Sequence, residues 1–159
     1  MKILIVSDTH GDDYNMWEAI AAEEPIDMLI HCGDIAHSVS DIEDEIGCPV
    51  HAVAGNNDFM LNLPQKDIFN IGKYRVLLMH GHQYNIYRDQ STLFYVAREN
   101  NVDIVMFGHI HVPVLIEEEG ITLVNPGSLT YPRQKGGSPS YIVMTVEDDK
   151  KPEYEIIYM

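Results

Sequence analysis

KILIVSDTHGDD, residues 2–13, is the most informative stretch of the chain. Residues 2–7 are rich in aliphatic and β-branched side chains, which is typical of a buried strand. The strand leads directly into Asp8-Thr9-His10-Gly11, where a carboxylate and an imidazole lie beside a glycine. Binding crevices of α/β proteins form at the carboxyl ends of strands. The pattern therefore predicts that the loop after the first strand belongs to a functional site.

The same arrangement recurs four times along the chain. The strand-like runs are residues 27–31, 49–54, 74–79 and 102–107, and the clusters at their ends are HCGD (31–34), GNND (55–58), HGH (80–82) and GHIH (108–111). Glycine in each cluster permits tight turns and close backbone approach. Loops at the carboxyl ends of strands converge on one edge of a sheet, so we expect these polar side chains to meet.

The remaining segments complete a layered α/β architecture. Helices are predicted at residues 13–24, which Pro25 ends, and at residues 90–100. Further strands are predicted at residues 67–72, 112–116, 121–124 and 140–146, with turns near Gly72 and at Glu119-Gly120. A length of 159 residues suits a single domain, residues 1–159. We expect a mixed sheet or a two-sheet sandwich covered by helices.

The charge balance is strongly acidic, with 25 acidic against 10 basic residues and a net charge of −15. Such a surface repels polyanions, so strong non-specific binding to nucleic acid is not expected. The acids cluster at residues 41–45, 117–119 and 147–149, which we interpret as solvated loops and faces that favour solubility. A phosphate substrate would need a local positive centre, which histidines with bound metal can provide.

The sequence predicts a cytoplasmic protein. It has no apolar run of membrane-spanning length, and the five-residue apolar stretch near the N-terminus is too short for a secretory signal. Cys32 and Cys48 show neither zinc-ligand spacing nor a disulfide framework, so both are predicted to be reduced thiols. Cys32 is further interpreted as a small core residue.

The candidate ligands have a chemistry that favours transition metals. Asp8 and His10, like His109 and His111, are two residues apart and point to the same side of an extended segment. Imidazole, carboxylate and amide oxygen together suit Mn, Fe, Zn, Co or Ni and do not suit an all-oxygen calcium site. Three histidines are set apart: His37 and His51 are predicted to be ordinary loop histidines, and His31 is either a core histidine or part of the site.

The order of these motifs resembles the calcineurin-like metallophosphoesterases, and most closely their small bacterial and archaeal phosphodiesterase branch. The matching motifs are SDTHGD (7–12), HCGDI (31–35), GNND (55–58), HGH (80–82), GHIHVP (108–113) and NPGS (125–128). The resemblance extends from residue 3 to about residue 133. It implies two packed mixed β-sheets flanked by helices, and a dinuclear metal centre at one edge. It also implies a ligand set: Asp8, His10 and His111 for the first cation, Asn56, His80 and His109 for the second, and Asp34 as the bridge.

One position departs from many members of that family. Asn57 stands where they have a histidine that protonates the leaving group, and an amide cannot act as that acid. Such an acid is typically worth about 10²–10⁴ in rate, so esters with an easily released group are favoured unless His82 donates instead. Asp34, Asn56 and His82 are the expected catalytic residues, and Asn57 and Arg133 are candidates for substrate binding. Asp58 either orients a ligand or stabilises a turn.

The expected reaction is hydrolysis of a small-molecule phosphate ester, with a diester favoured over a monoester, by in-line attack of a hydroxide bridging two divalent cations. Mn²⁺ is the expected metal, with Ni²⁺, Fe, Co²⁺ and Zn²⁺ as alternatives. Other functions stay open: a phosphomonoesterase or protein phosphatase on the same site, a nuclease, or a non-catalytic protein-binding scaffold. The apolar strands at residues 67–79 suggest a surface for self-association into a dimer or tetramer.

Overall fold

The computed structural model describes residues 1–36 and 38–159, so the interpretation of His37 lies outside the described residues. Within them the chain forms three helices and ten strands. In chain order they are β1 (Lys2–Val6), α1 (Tyr14–Glu23), β2 (Met28–His31), α2 (Val39–Ile46), β3 (Val50–Ala52), β4 (Lys66–Ile71), β5 (Tyr74–Met79), α3 (Ser91–Asn100), β6 (Ile104–Met106), β7 (Pro113–Glu118), β8 (Ile121–Pro126), β9 (Ser140–Thr145) and β10 (Glu153–Tyr158).

The strands form two five-stranded mixed sheets. The first has the order β10-β9-β1-β2-β3, and its strands β1, β2 and β3 are parallel. The second has the order β4-β5-β6-β8-β7, and its strands β5, β6 and β8 are parallel. Antiparallel strands flank each parallel centre. The predicted α/β class, with two mixed sheets and flanking helices, is confirmed.

Alternation along the strands explains why the sheets stack and the helices cover them. On β1, Ile3 and Ile5 are buried in one cluster with Val76 and Leu78 of the second sheet, so they face the space between the sheets. Residues between them on β1 point to the other face, where Leu4 packs with α1. Fully burying an aliphatic side chain contributes about 1.5–3 kcal/mol. α3 covers the outer face of the second sheet in the same way.

Two elements differ from the sequence-based prediction. α2 was not predicted: the acidic residues of 41–45 lie on a solvated face, as expected, but that face belongs to a helix, which buries Ile42. Val39, Ile42 and Ile46 pack at helical spacing, but the acidic residues between them mask that pattern. β10 was not predicted, and it pairs with β9 from Glu153 to Tyr158. It is an edge strand with only partial burial, so its apolar alternation is weak.

The loops that follow the parallel strands contact one another at one edge of the sandwich. The backbone N–H of Asp8 donates to the carbonyl of Gly33 at 3.0 Å, and that of Gly108 donates to the carbonyl of His80 at 3.1 Å. Across the sheets, Nδ1 of His80 lies 2.8 Å from the carbonyl of Cys32. Among the described residues, no helix is both long enough and apolar enough to pass through a bilayer.

Candidate metal centre

The loops bring the predicted ligands of both sheets into one cluster. Oδ1 of Asp8 lies 3.1 Å from Nε2 of His111, 3.8 Å from Nε2 of His10 and 3.9 Å from Nε2 of His80. The Nε2 atoms of His10 and His111, which are 101 residues apart, lie 3.4 Å from each other. Asp8, His80 and His111 are buried, so this part of the cluster lies below the surface at the edge of the sandwich.

Hydrogen bonds to the backbone set the orientation of two histidines. Nδ1 of His80 faces the carbonyl of Cys32 at 2.8 Å, and Nδ1 of His111 faces the carbonyl of Tyr131 at 2.7 Å. A carbonyl only accepts, so Nδ1 must carry the proton in each ring. With Nδ1 occupied in this way, Nε2 is the ring atom that each histidine directs into the cluster, and it offers a lone pair whenever the ring is neutral. Metal-binding histidines are commonly held in this way.

Asp34 lies between the two groups of histidines. Its Oδ2 is 3.7 Å from Nε2 of His10 and 3.5 Å from Nε2 of His80. Asn57 holds the carboxylate through two donors, its backbone N–H to Oδ1 at 2.8 Å and its side-chain amide to Oδ2 at 2.7 Å. Oδ1 of Asn56 lies 3.2 Å from Nε2 of His80. Asn57, predicted as a substrate contact, thus directs its amide toward Asp34.

His109 and His82 lie on the more open side of the cluster. The ring of His109 is 5.2 Å from the ring of His80 and 6.2 Å from the ring of His82, and it also contacts Tyr87 at 5.0 Å. Burial, together with the nearby charge of His80, lowers the pKa of His109 to about 4. Burial and the same neighbour lower the pKa of His82. Both imidazoles are consequently neutral near pH 7 and can act as ligands or hydrogen-bonding groups.

The carboxylates and His80 shift one another's protonation. Burial alone would raise the pKa of Asp8, but His111 and His80 hold it below its ordinary value. Burial likewise opposes ionisation of Asp34, and His80 with Asn57 nevertheless lowers its pKa well below the usual range. Burial alone would lower the pKa of His80, but Asp34 and Asp8 raise it. Both carboxylates are ionised at neutral pH, and the cluster attracts positive charge.

The backbone at the cluster is unusual. Five of the seven predicted ligands have a positive φ: Asp8 (56°), His10 (50°), Asp34 (56°), His109 (69°) and His111 (59°). Residues other than glycine rarely adopt this left-handed region. Such backbone persists only where surrounding contacts enforce it, and it concentrates at functional sites.

Two glycines allow the loops to pack against the aspartates. A Cβ on Gly55 would lie 2.1 Å from Oδ1 of Asp34, and a Cβ on Gly108 would lie 2.1 Å from Oγ of Ser7. Oγ of Ser7 in turn donates to Oδ2 of Asp8 at 2.6 Å. Any side chain at either position would displace a carboxylate of the cluster, so these glycines are required for close approach.

Residues behind the ligands hold the loops together. The carboxylate of Asp58 accepts backbone N–H groups from Gly55, Ala36 and Ile35, at 2.8, 2.9 and 3.2 Å. Of the two roles predicted for Asp58, the structure places it as the residue that stabilises the turn and ties it to the neighbouring loop. Ser128, from the NPGS motif, donates through Oγ to the carbonyl of Asp8 at 2.9 Å.

Two histidines outside the predicted ligand set have separate partners. His31 is fully buried; its Nδ1 accepts the N–H of Gly33, and its Nε2 lies 3.3 Å from Oγ1 of Thr9. Burial lowers its pKa to about 4, so it is a neutral core histidine beneath the site. The ring of His51 stacks on Phe69 at 3.7 Å, and its Nδ1 lies 2.7 Å from the carboxylate of Asp67.

Sequence reasoning missed two aromatic residues at the rim. Tyr87 contacts the ring of His109, and Tyr131 contacts the ring of His10 at a centroid distance of 5.2 Å. Arg133 donates from Nη1 to the hydroxyl of Tyr87 at 3.3 Å, so the predicted substrate contact lies at this rim. Tyr131 is two residues from Arg133 and three from the NPGS motif, which is the signal that could have identified it.

The residues present fit a divalent metal. Oδ1 of Asp8 is buried and has no hydrogen-bond partner, although three imidazoles surround it. Nε2 of His80 lies near carboxylate and amide oxygens, and Nε2 of His111 lies near a carboxylate oxygen and near Nε2 of His10. Facing acceptors repel one another unless a cation lies between them, and a transition metal satisfies nitrogen and oxygen donors together.

Comparisons with known proteins identify the family and the fold. A model of the calcineurin-like phosphoesterase superfamily domain matches residues 1–149. A probable metallophosphoesterase of Mycoplasma genitalium is 33% identical over 161 residues, covering 99% of this chain and 95% of the relative. The crystal structure of a predicted phosphoesterase from Streptococcus pneumoniae has a TM-score of 0.84 at 28% identity, over 99% of this chain and 88% of that one.

A structure described as a novel archaeal phosphodiesterase has a TM-score of 0.76 at 26% identity and covers 100% of both chains. The resemblance seen in the sequence is thus confirmed, and so is the metallophosphoesterase fold that it implied. Because the family model spans most of the chain and a relative above 30% identity covers nearly all of it, the chain belongs to the calcineurin-like phosphoesterase superfamily.

Proposed function

We propose that the chain is a metal-dependent phosphodiesterase with two divalent cations in the cluster. The observation that carries the proposal is the convergence of imidazole lone pairs and carboxylate oxygens from both sheets, with His80 and His111 oriented by backbone carbonyls. The matching family model is that of a calcineurin-like phosphoesterase domain, which supports a small-molecule phosphate ester as substrate. A structural relative described as a phosphodiesterase supports the diester class.

The seven ligands divide between two cations. The proposed sets are Asp8, His10 and His111 for the first, Asn56, His80 and His109 for the second, and Asp34 for the bridge. In support, the ligand atoms of the first set lie within 4.8 Å of one another. The position of Asp34 between His10 and His80 supports its bridging role. The mixed donors favour Mn²⁺, with Ni²⁺, Fe, Co²⁺ and Zn²⁺ as alternatives.

Each protein group has a defined task in this reaction. Two bound cations would supply Lewis acidity to the phosphoryl oxygens and lower the pKa of a water that attacks phosphorus in line. Asn57 keeps the Asp34 carboxylate ionised and oriented through its two hydrogen bonds. Asn56 directs its oxygen toward His80, which leaves its amide N–H groups to donate to a phosphoryl oxygen. His82 provides a neutral imidazole beside the second set.

Two features favour a diester over a monoester. Asn57 cannot protonate a leaving group, and the lowered pKa of His82 leaves little imidazolium to do so at pH 7. The reaction therefore suits esters whose leaving group departs as a stable anion, and the missing acid matters more for a monoester, whose loose transition state places more negative charge on the leaving oxygen. A monoester carries up to about two negative charges at pH 7. The chain has a net charge of −15, so it repels a monoester dianion more strongly than a diester monoanion.

Turnover with Mn²⁺ tests the proposal directly. Bis(4-nitrophenyl) phosphate should be hydrolysed with a higher kcat/KM than 4-nitrophenyl phosphate. Asp34→Asn should reduce that activity by more than about a hundredfold, because even residues that only orient metal ligands are worth about 10–100-fold. Asp67→Asn is the matched control, since it removes a carboxylate in contact with a histidine outside the cluster. Preference for the monoester would indicate a phosphomonoesterase, and no turnover with Mn²⁺ or Ni²⁺ would indicate a non-catalytic scaffold.

A further inference from the structure

Two exposed tyrosines lie beside two different ligand histidines. The ring of Tyr87 is 53% exposed and lies 5.0 Å from the ring of His109. The ring of Tyr131 is 59% exposed and lies 5.2 Å from the ring of His10. His10 and His109 belong to different proposed cation sets, so each proposed set has one tyrosine ring beside it. Single exposed aromatics are ordinary on protein surfaces, whereas a pair in contact with candidate ligands is not.

Arg133 links the two tyrosines to the centre. Its backbone N–H donates to the carbonyl of His111 at 2.9 Å. Its Nη1 donates to the hydroxyl of Tyr87 at 3.3 Å, and its guanidinium carbon lies 6.0 Å from the centroid of the Tyr87 ring. The carbonyl of Tyr131 accepts from Nδ1 of His111 at 2.7 Å. The segment from Tyr131 to Arg133 is thus tied by its backbone to a ligand, so its position is coupled to that of the centre.

The chemistry of this rim indicates a preferred ester. Exposed tyrosine faces beside a phosphoryl site can stack on an aromatic ring, as they do on nucleobases, and Arg133 adds a cation at the same rim. Stacking of one ring typically changes affinity by about fivefold to a hundredfold. A purely alkyl ester has no ring to offer. Asn57 also favours an aryl ester, because it cannot protonate the leaving group and an aryl oxide departs as a stable anion without protonation.

We propose that Tyr87, Tyr131 and Arg133 form an aromatic recognition rim that selects phosphodiesters carrying an aryl or nucleobase group over alkyl diesters. This inference rests on the proposed phosphodiesterase function and specifies its substrate class. Tyr87 and Tyr131 contact the ring of the substrate. Arg133 positions Tyr87 through the contact of its guanidinium group with the ring, 6.0 Å from the ring centroid.

Binding tests the rim without any turnover. With Mn²⁺ present, calorimetry should show phenylphosphonate binding about tenfold more tightly than methylphosphonate, because neither carbon–phosphorus bond is hydrolysed and only the ring differs. Tyr87→Leu and Tyr131→Leu should each reduce this preference at least about threefold, since leucine stays apolar but cannot stack. Tyr87→Phe keeps the ring and should retain the preference. Equal affinity of the wild-type protein for the two phosphonates would overturn the proposal.

A matched control is present on α3. Tyr95 is 69% exposed, and the guanidinium carbon of Arg98 lies 5.7 Å from its ring centroid, as Arg133 lies over Tyr87. Tyr95→Leu therefore removes an exposed tyrosine with an arginine beside it and should leave the phosphonate preference unchanged. Loss of the preference in this variant as well would show that ring selection does not reside in the rim.

Turnover separates failure of the rim from failure of the proposed function. Phenyl 4-nitrophenyl phosphate and methyl 4-nitrophenyl phosphate release the same leaving group and differ only in the retained group. The phenyl ester should have a kcat/KM about tenfold higher, and Tyr87→Leu should reduce that ratio. Equal kcat/KM for both esters would overturn the rim and leave the phosphodiesterase standing. A preserved phosphonate preference with no turnover of either ester would support the rim and overturn the phosphodiesterase.

Discussion

The two ends of the β-sandwich differ in how their charged side chains are paired. At the amino ends of the parallel strands, Nζ of Lys2 lies 2.6 Å from the carboxylate of Glu23, and Nζ of Lys151 lies 2.8 Å from that of Glu117. At the carboxyl ends, the ion pairs of Asp8 and Asp34 in the described chain are with histidines, and Oδ1 of Asp8 accepts no hydrogen bond although imidazoles surround it. We call the end with the lysine–carboxylate pairs the paired end, because its charges stabilise the fold. We call the end with Asp8 and Asp34 the ligand end, because its carboxylates are available to a ligand. The following predictions test that difference.

The largest effect is expected from adding a methyl group at the ligand end. Gly55→Ala places a Cβ 2.1 Å from Oδ1 and 2.4 Å from the backbone nitrogen of Asp34, so the carboxylate must move. A displacement of about 1 Å can cost about a hundredfold in rate, and overpacking typically costs about 1–3 kcal/mol of stability. Turnover and chemical unfolding should both report the change.

Gly120→Ala is the counterpart at the other end. Its Cβ would meet nothing within 4 Å, although the backbone has a φ of +81°. We expect a loss of about 1 kcal/mol of stability from the left-handed backbone and unchanged kcat/KM. Equal losses of activity in the two glycine variants would remove the distinction between the ends.

A buried histidine should make stability pH-dependent. His31 has a pKa of about 4 when folded, because burial disfavours its charged form, against an ordinary value of 6.5. The unfolded chain therefore binds a proton that the folded protein does not, and the contribution present above pH 6.5 is lost as the pH falls toward 4. The shift corresponds to about 3 kcal/mol.

Urea unfolding in EDTA at several pH values measures this contribution. The unfolding free energy of the wild-type protein should fall more steeply between pH 6.5 and 4 than that of His31→Gln, whose side chain does not titrate. Parallel curves for the two proteins would show that His31 is not a neutral core residue.

Metal addition should stabilise the protein through the ligand end. A cation that binds only the folded state contributes about 2.7 kcal/mol at one hundred times its dissociation constant. Mn²⁺ should therefore raise the Tm of the wild-type protein, and EDTA should reverse the effect. Asp8→Asn should bind Mn²⁺ more weakly and show a smaller increase at the same concentration. An undiminished increase in that variant would place the stabilising cation elsewhere.

The smallest effect is expected at the paired end. Lys151→Met removes the contact with Glu117, which is exposed and screened by solvent. The Tm, the Mn²⁺-dependent increase in Tm and kcat/KM should all stay within experimental error of the wild-type values. Loss of Mn²⁺ stabilisation in this variant would show that the two ends are coupled.

The sequence predicted which candidate ligands lie together better than it predicted every element of the framework around them. The motif order indicated which side chains would meet, although His10 and His111 are 101 residues apart, because every cluster follows a strand that ends at the same edge. It could not locate Tyr87, which belongs to no motif and reaches His109 only through tertiary packing. Acidic residues concealed the apolar pattern of α2, and partial burial weakened that of β10.

The allocation of ligands between the sheets has a mechanical consequence. Asp8 and Asp34 follow strands of the first sheet, whereas His80 and His111 follow strands of the second. Any sliding of one sheet over the other would change the spacing between these ligands. The metal centre therefore depends on the alignment of the two β-sheets. A bound ion would in turn hold the two sheets in that alignment. Repacking the interface at Ile5 or Leu78, which are buried in the cluster between the sheets, should consequently alter affinity for the ion.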